Sequence, residues 1–328
     1  MNFGVNENVR LSNVHNKNSY SLCVKIYQGV TIMIFRTDLA LESRELSGTQ
    51  NIDEVIFDEK KVEDIHVSKV QIKNEMAASK LNKPIGTYIT FEIPALTDDF
   101  RNMQTRVNVI ADELKKLIPK EGPVLVIGVG NSSITPDALG PKSADSVLAT
   151  RHISGELARS VGLHNLRPVA VLSPGVLGQT GIEVVELIKS LTEKLSPVAV
   201  IAIDALASVK TNRLGCTVQI SDTGITPGSG IGNNRLTIDK NTLSVPVIGI
   251  GVPTVVDAAT LAADLLGVSD EDEMQNFKNK LNSNGSPMMV TPREVDLLID
   301  RASKLVSMSI NCALHPDYSA DDLAVLVS

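Results

Sequence analysis

At 328 residues with 43% hydrophobic content, the chain is long enough for a large core and too apolar for disorder. Aromatic residues make up only 3%, Trp is absent, and the formal net charge is −7 with no dense Lys/Arg run, which together disfavour nucleic acid as a partner. The three cysteines, Cys23, Cys216 and Cys312, lie far apart without a CxxC, which argues against a disulfide framework or zinc ribbon and fits a reducing compartment. Each reads as a small buried hydrophobe.

In chain order, the first 18 residues hold six Asn and no small-residue cleavage pattern, so no signal peptide is read. Residues 20–35, YSLCVKIYQGVTIMIF, are interrupted by Lys25 and Gln28 and are shorter than the ~20 apolar residues of a spanning helix, so no membrane partner is expected. Translation from Met33 would leave residues 1–32 unmade. Next comes RTDLALESRE, residues 36–45, a charged block with little strand or helix character. Residues 52–96 read as short strands and loops. From Thr97 to Ile118, apolar residues at Phe100, Met103, Val107, Ile110, Leu114 and Leu117 mark one helix face, with Thr97, Asp98 and Asp99 as its N-terminal cap.

Four runs then repeat one pattern: PVLVIGVG from Pro123, PVAVLSPG from Pro168, PVAVIAID from Pro197 and PVIGIGVP from Pro246. Continuous apolar runs predict strands buried on both faces, and Pro is tolerated at a strand's first position. Helical patterns at 144–161, 182–195, 256–266 and 292–306 alternate with them. The expected fold class is therefore α/β, a mostly parallel sheet with helices on both faces. The segments at 52–96 and 214–245 add a smaller β-rich subdomain or insertions, since LGCTVQISDTGI alternates like a strand.

Open parallel sheets bind ligands at the carboxyl ends of their strands. The first run leads into GNSSITPDALGP, where Asp137 follows a glycine turn at a helix start, and the third run ends at Asp204. Two carboxylates meeting across a crevice cannot both ionise easily. One would keep a proton and serve as acid, while the other takes a proton from an attacking water. That division suits peptide-bond hydrolysis with no metal and no cofactor. The alternative roles stay open at this point: Asp137 as a helix N-terminal charge, Asp204 as a turn cap.

Competing motifs are weaker. GVGNSS has Ser at the third glycine of GxGxxG and no acidic residue closing a second strand about 20 residues on. Gly228–Gly232 is glycine-rich and fits either an anion-binding turn or a connector, and Ser229 is not in a GxSxG. The five histidines show no HExxH spacing, so no zinc is expected.

The blocks GVGNSSITPDALGP, AIDALAS, QISDTGITPGSGIGNNR, GIGVPTVVDA and MMVTPREVD, with RTDLALES, LNKPIGTYITFEI and INCALHP, resemble the germination protease family of spore-forming bacteria. The resemblance covers nearly everything from Arg36 onward; Ser132-Ser133 stands where a bulkier residue is expected. It implies an aspartic endopeptidase that degrades small acid-soluble spore proteins at germination, in the cytoplasm of the forespore and the spore core. It also implies a self-processing zymogen, a homotetramer, and catalysis by two aspartates, which fall on Asp137 and Asp204. The family's substrates are cut within Thr-Glu, then Phe or Ile, then Ala-Ser-Glu. Thr37-Asp38, Leu39 and Ala40-Leu41-Glu42 are similar, so self-cleavage is expected between Asp38 and Leu39. A plain N-terminal segment with a local Asp/Arg pairing is the bland alternative. Residues 1–38 then form a tail and propeptide, and 39–328 the peptidase domain. The alternatives are a hydrogenase-maturation-type C-terminal processing protease, whose core is related, and a non-enzymatic α/β binding protein.

Overall fold

The computed structural model describes residues 24–27, 30–33, 37–47, 54–98, 101–153, 165–228, 236–266 and 288–327. The Asn-rich start, Arg36 and most of the Gly228–Gly232 loop lie outside them. In chain order the strands are β1 (Val24–Tyr27), β2 (Val30–Met33), β3 (Val55–Val62), β4 (Ile65–Ile72), β5 (Gly86–Glu92), β6 (Val124–Gly128), β7 (Val169–Leu172), β8 (Ala199–Ser208), β9 (Thr217–Ser221), β10 (Val247–Asp257) and β11 (Met289–Val290). The helices used below are α1 (Ala40–Leu46), α2 (Glu75–Leu81), α3 (Met103–Leu117), α4 (Leu139–Asp145), α5 (Val184–Leu195) and α6 (Val295–Leu314).

The four Pro-headed runs become β6, β7, β8 and β10, which pair in parallel in the order β10-β8-β6-β7. The α/β expectation is met. The β-rich segments do not fold apart: β9, β5, β4 and β3 continue the same sheet in antiparallel order beyond β10. Within the apolar stretch, β1 and β2 pair antiparallel, apart from this sheet. Among the described residues no helix is long and apolar enough to cross a membrane.

Each face of the sheet carries a core. On one, Val126, Ile201, Ile203, Ile250, Phe91 and Ile220 pack against Val107, Ile110 and Leu114 of α3 and Leu305 and Ile310 of α6. On the other, Leu125, Ile127, Val200 and Ala202 pack against Val184, Val185 and Ile188 of α5. A third cluster joins Ala40 of α1 and Ala77 and Leu81 of α2 to Val70, Ile72 and Tyr88. This layering follows from strands that are apolar on both sides and so require cover on both.

Two helix expectations are corrected. The helix expected at 144–161 ends at Asp145, because the Asn311 side chain takes over the next turn's polar groups, accepting from Leu148 N–H at 2.9 Å and donating to Ser146 O at 3.1 Å. Residues 154–161 lie outside the described range. Thr97 and Asp98 do not cap the next helix either, Asp99 lying outside the described residues: α3 begins at Met103 after Asn102 in a left-handed conformation, and Arg301 binds the carbonyls of Leu96 and Thr97.

Candidate active site

The sheet is built so that β8 outruns its neighbour. β6 stops at Gly128, opposite Ile203, while β8 continues through Ser208 alongside β10. Asp204 therefore stands mid-strand, at the point where pairing with β6 ends, and not at the strand's end as its apolar run suggested. Ala205, Leu206 and Ala207 keep their partners on β10 across a register shift between Pro253 and Val255, so the ladder continues past the carboxylate. Asp204 is 6% exposed, and its Oδ1 accepts the Ala205 N–H at 2.9 Å.

Asp137 arrives from the other side. β6 leads into a turn and a 3-10 turn at Thr135–Asp137. The Asn131 N–H donates to Asp137 Oδ2 at 2.7 Å, which aims the carboxylate back over the strand end. Gly130 makes this turn possible: its φ is +128°, and a Cβ there would sit 2.1 Å from Asp137 O.

Asp137, Asp204 and Asp38 line one cavity of about 240 Å³, with Ile134, Pro136, Val255 and Met289 as part of its apolar wall. A second cavity of about 100 Å³ adjoins it, sharing Asp38 and Asp204 and adding Lys83, Tyr88, Gln219 and Gly251. The structure thus brings three of the four sequence-predicted site residues to one crevice. The fourth, Leu39, follows Asp38 and is fully buried.

The segment 37–47 reaches the crevice by taking the β8 edge that β6 leaves open. Successive strand residues point their amides to alternate edges. Ile203 O faces β6 territory, accepting from Val129 N–H at 2.8 Å, so Ala207 faces the same way. There Asp38 N–H donates to Ala207 O at 2.9 Å, and Ala207 N–H donates to Asp38 Oδ2 at 2.8 Å. Two residues on, Val209 N–H donates to Glu42 Oε2 at 2.8 Å, and Lys210 N–H to Glu42 Oε1 at 3.1 Å. Glu42 is fully buried; Thr37 Oγ1 donates to it at 2.5 Å and Arg213 Nε lies 3.7 Å away. Arg213 also pairs with Glu45 at 2.6 Å. Lys83 Nζ donates to Thr37 O at 2.7 Å; burial pushes its ammonium down, and the Asp38 and Glu42 carboxylates oppose that push.

Gln219, Lys83 and Arg213 were not singled out in the sequence. For Gln219 a signal existed. In Thr217-Val218-Gln219-Ile220-Ser221 the apolar residues face the core, yet the polar face is buried as well. A strand with a buried polar face points to a site or a network. Cys216 and Cys312 carry no such role: burial pushes both thiols up, with Asp98 adding to it at Cys216. Among the described residues no group of three His, Cys, Asp or Glu side chains is arranged to hold a metal ion.

A family model described as germination protease matches residues 34–268. The chain belongs to the germination protease family. A germination protease of Clostridium perfringens strain ATCC 13124 is 44% identical over 317 residues, covering 88% of this chain and 97% of that one. One from Caldanaerobacter subterraneus subsp. tengcongensis is 38% identical over 323 residues, covering 91% and 99%. A Geobacillus relative is 35% identical over 356 residues, covering 88% and 95%. Among solved structures, a NiFe hydrogenase maturation protease from Thermococcus kodakarensis aligns with TM-score 0.33 and 16% identity, over 60% of this chain and 98% of that one. Germination proteases are hydrolases of peptide bonds, so the crevice of this family member is a place to look for water activation.

Proposed function

We propose that this germination protease degrades small acid-soluble spore proteins in the spore core, is made as a zymogen that cuts itself between Asp38 and Leu39, and works as a homotetramer. One observation carries the reading: Asp38, Asp137 and Asp204 line a single cavity. The residue expected just before the cut shares this cavity with the two expected catalytic carboxylates.

In this reading one carboxylate of the Asp137/Asp204 pair is ionised and takes a proton from water, whose oxygen attacks the peptide carbonyl carbon. The other, protonated, gives its proton to the leaving nitrogen as the C–N bond breaks. The carboxyl and amine products leave the pair with one proton between them, ready for another cycle. The pair titrates as a unit.

The test is to incubate wild type, Asp137→Asn and Asp204→Asn with a small acid-soluble spore protein and follow cleavage by mass spectrometry. Each variant should be slower by about 10²-fold or more, the range for loss of a general acid or base. Unimpaired cleavage by both ends the two-aspartate reading.

A further inference from the structure

We propose that Gln219 is a catalytic residue: its amide holds the carbonyl oxygen of the bond being cut and stabilises the oxyanion as water attacks. The proposal rests on the reading that the cut falls between Asp38 and Leu39.

The geometry starts from register. Gly251 of β10 pairs with Asp204 of β8 on one side and with Gln219 of β9 on the other. Residues paired across strands share a face of the sheet, so Asp204, Gly251 and Gln219 form one row. At two strand spacings, the outer backbones are roughly 10 Å apart. The middle position has no side chain, and a Cβ there would sit 2.5 Å from Asp204 O and 2.7 Å from Leu206 Cγ. The glycine gives the Leu206 side chain room to pack in that row, and Asp38 lines one cavity with all three.

The amide orientation is fixed by its partners. Ala40 N–H donates to Gln219 Oε1 at 2.8 Å, so that atom must be the oxygen. Nε2 is then the donor to Asp38 O, at 2.9 Å. Asp38 O is the carbonyl oxygen of the Asp38–Leu39 peptide bond. One side chain therefore grips the backbone on both sides of that bond: it accepts from the N–H beyond it and donates to its carbonyl. The contact is direct, and 2.9 Å is the distance at which a donor supports developing negative charge on oxygen.

The chemistry balances without another reagent. Water oxygen bonds to the Asp38 carbonyl carbon while its proton goes to the ionised carboxylate of the pair. The carbonyl electron pair moves onto the oxygen facing Gln219 Nε2–H, which strengthens that hydrogen bond. When the pair of electrons returns, the C–N bond breaks and the Leu39 nitrogen takes the proton held by the other carboxyl. Gln219 gains and loses no proton.

The full-length chain tests this in two assays: appearance of the Leu39 N-terminus by intact mass, and kcat and KM on a synthetic peptide of sequence RTDLALESRE. Gln219→Glu keeps an acceptor for the Ala40 N–H and loses the donor. Its kcat should fall about 10²- to 10³-fold, the loss typical for one oxyanion donor, with KM changed only a few-fold in protein that remains folded at the assay temperature. Gln219→Met brings no charge into the buried strand and removes both contacts; its kcat should fall as far and its KM should rise. A wild-type kcat in either folded variant, with wild type cutting between Asp38 and Leu39, overturns the role of Gln219 alone. A wild-type cut at any other bond overturns the underlying reading and this proposal with it.

Discussion

Asp38 and Ala207 form a rung: the Asp38 N–H donates to the Ala207 carbonyl at 2.9 Å, and the Ala207 N–H donates back to the Asp38 carboxylate at 2.8 Å. A side chain here completes what a second strand's backbone would supply. The acidic residue is therefore a register pin as well as a charge. Asp38→Ala removes a hydrogen bond to a charged group, worth about 1.5–3 kcal/mol. Self-cleavage should slow by about tenfold to a hundredfold, read as the time course of the Leu39 N-terminus by intact mass. Processing at the wild-type rate would show that the rung does not position the bond.

Glu42 should matter for folding more than for chemistry. Its carboxylate is fully buried and receives Val209 N–H, Lys210 N–H and Thr37 Oγ1–H, with Arg213 beside it. Glu42→Ala leaves those buried donors without their acceptor, at about 1–3 kcal/mol for each one unpaired, while Arg213 keeps its pairing with Glu45. Denaturant unfolding of the full chain should show the loss, and an unchanged midpoint would contradict it.

Gly130→Ala is expected to damage the site while leaving the sheet in place. The added Cβ would lie 2.1 Å from Asp137 O, and φ at +128° strains any residue with a Cβ. The turn must shift, and Asp137 with it. Peptide cleavage should drop by at least tenfold while the far-ultraviolet circular dichroism spectrum stays native; normal kcat would mean the turn does not aim Asp137.

His315 sets a pH dependence of stability remote from the crevice. The imidazole is fully buried, neither ring nitrogen has a hydrogen-bond partner among the described residues, and burial, with Arg167 nearby, pushes its pKa down to about 4. Between the unfolded value near 6.5 and the folded value near 4, the unfolded chain binds a proton that the folded chain refuses. Stability from this group is complete above about pH 6.5 and declines as pH falls toward 4, by on the order of 3 kcal/mol. Thermal melts of wild type and His315→Gln across pH 4–7 should differ in slope within that window. Parallel profiles would assign the acid sensitivity elsewhere.

Much of this was legible in the sequence. The parallel half of the sheet could be read because strands covered on both faces must be apolar throughout, as β6, β8 and β10 are. Asp204 stood out because it directly follows such a run, and Asp137 because it sits at a helix start just past the glycine turn that closes another. The path of segment 37–47 was harder. Its docking depends on β8 outrunning β6, a difference in strand length that no local pattern records. Gln219 and Lys83 belong to elements far from Asp38 in sequence, so their contacts appear only once β9 and the α2–β5 turn have folded against it. The helix start expected at Thr97 is displaced to Met103 because Arg301, about 200 residues later, holds the Leu96 and Thr97 carbonyls in the turn before it.

The open edge of β8 has one more consequence. Ala207's backbone groups are already taken by a residue of the same chain. A tethered occupant counts as a ligand at millimolar local concentration. A free peptide that needs the same rung, present at micromolar levels, would hold it about one time in a thousand at equal intrinsic affinity. Under the proposed cut after Asp38, the Asp38–Ala207 rung itself need not break, yet its occupant would turn from a tethered neighbour into a solute that dilutes away. On the proposed self-cleavage, the switch would be one of concentration, thrown by breaking a single covalent bond.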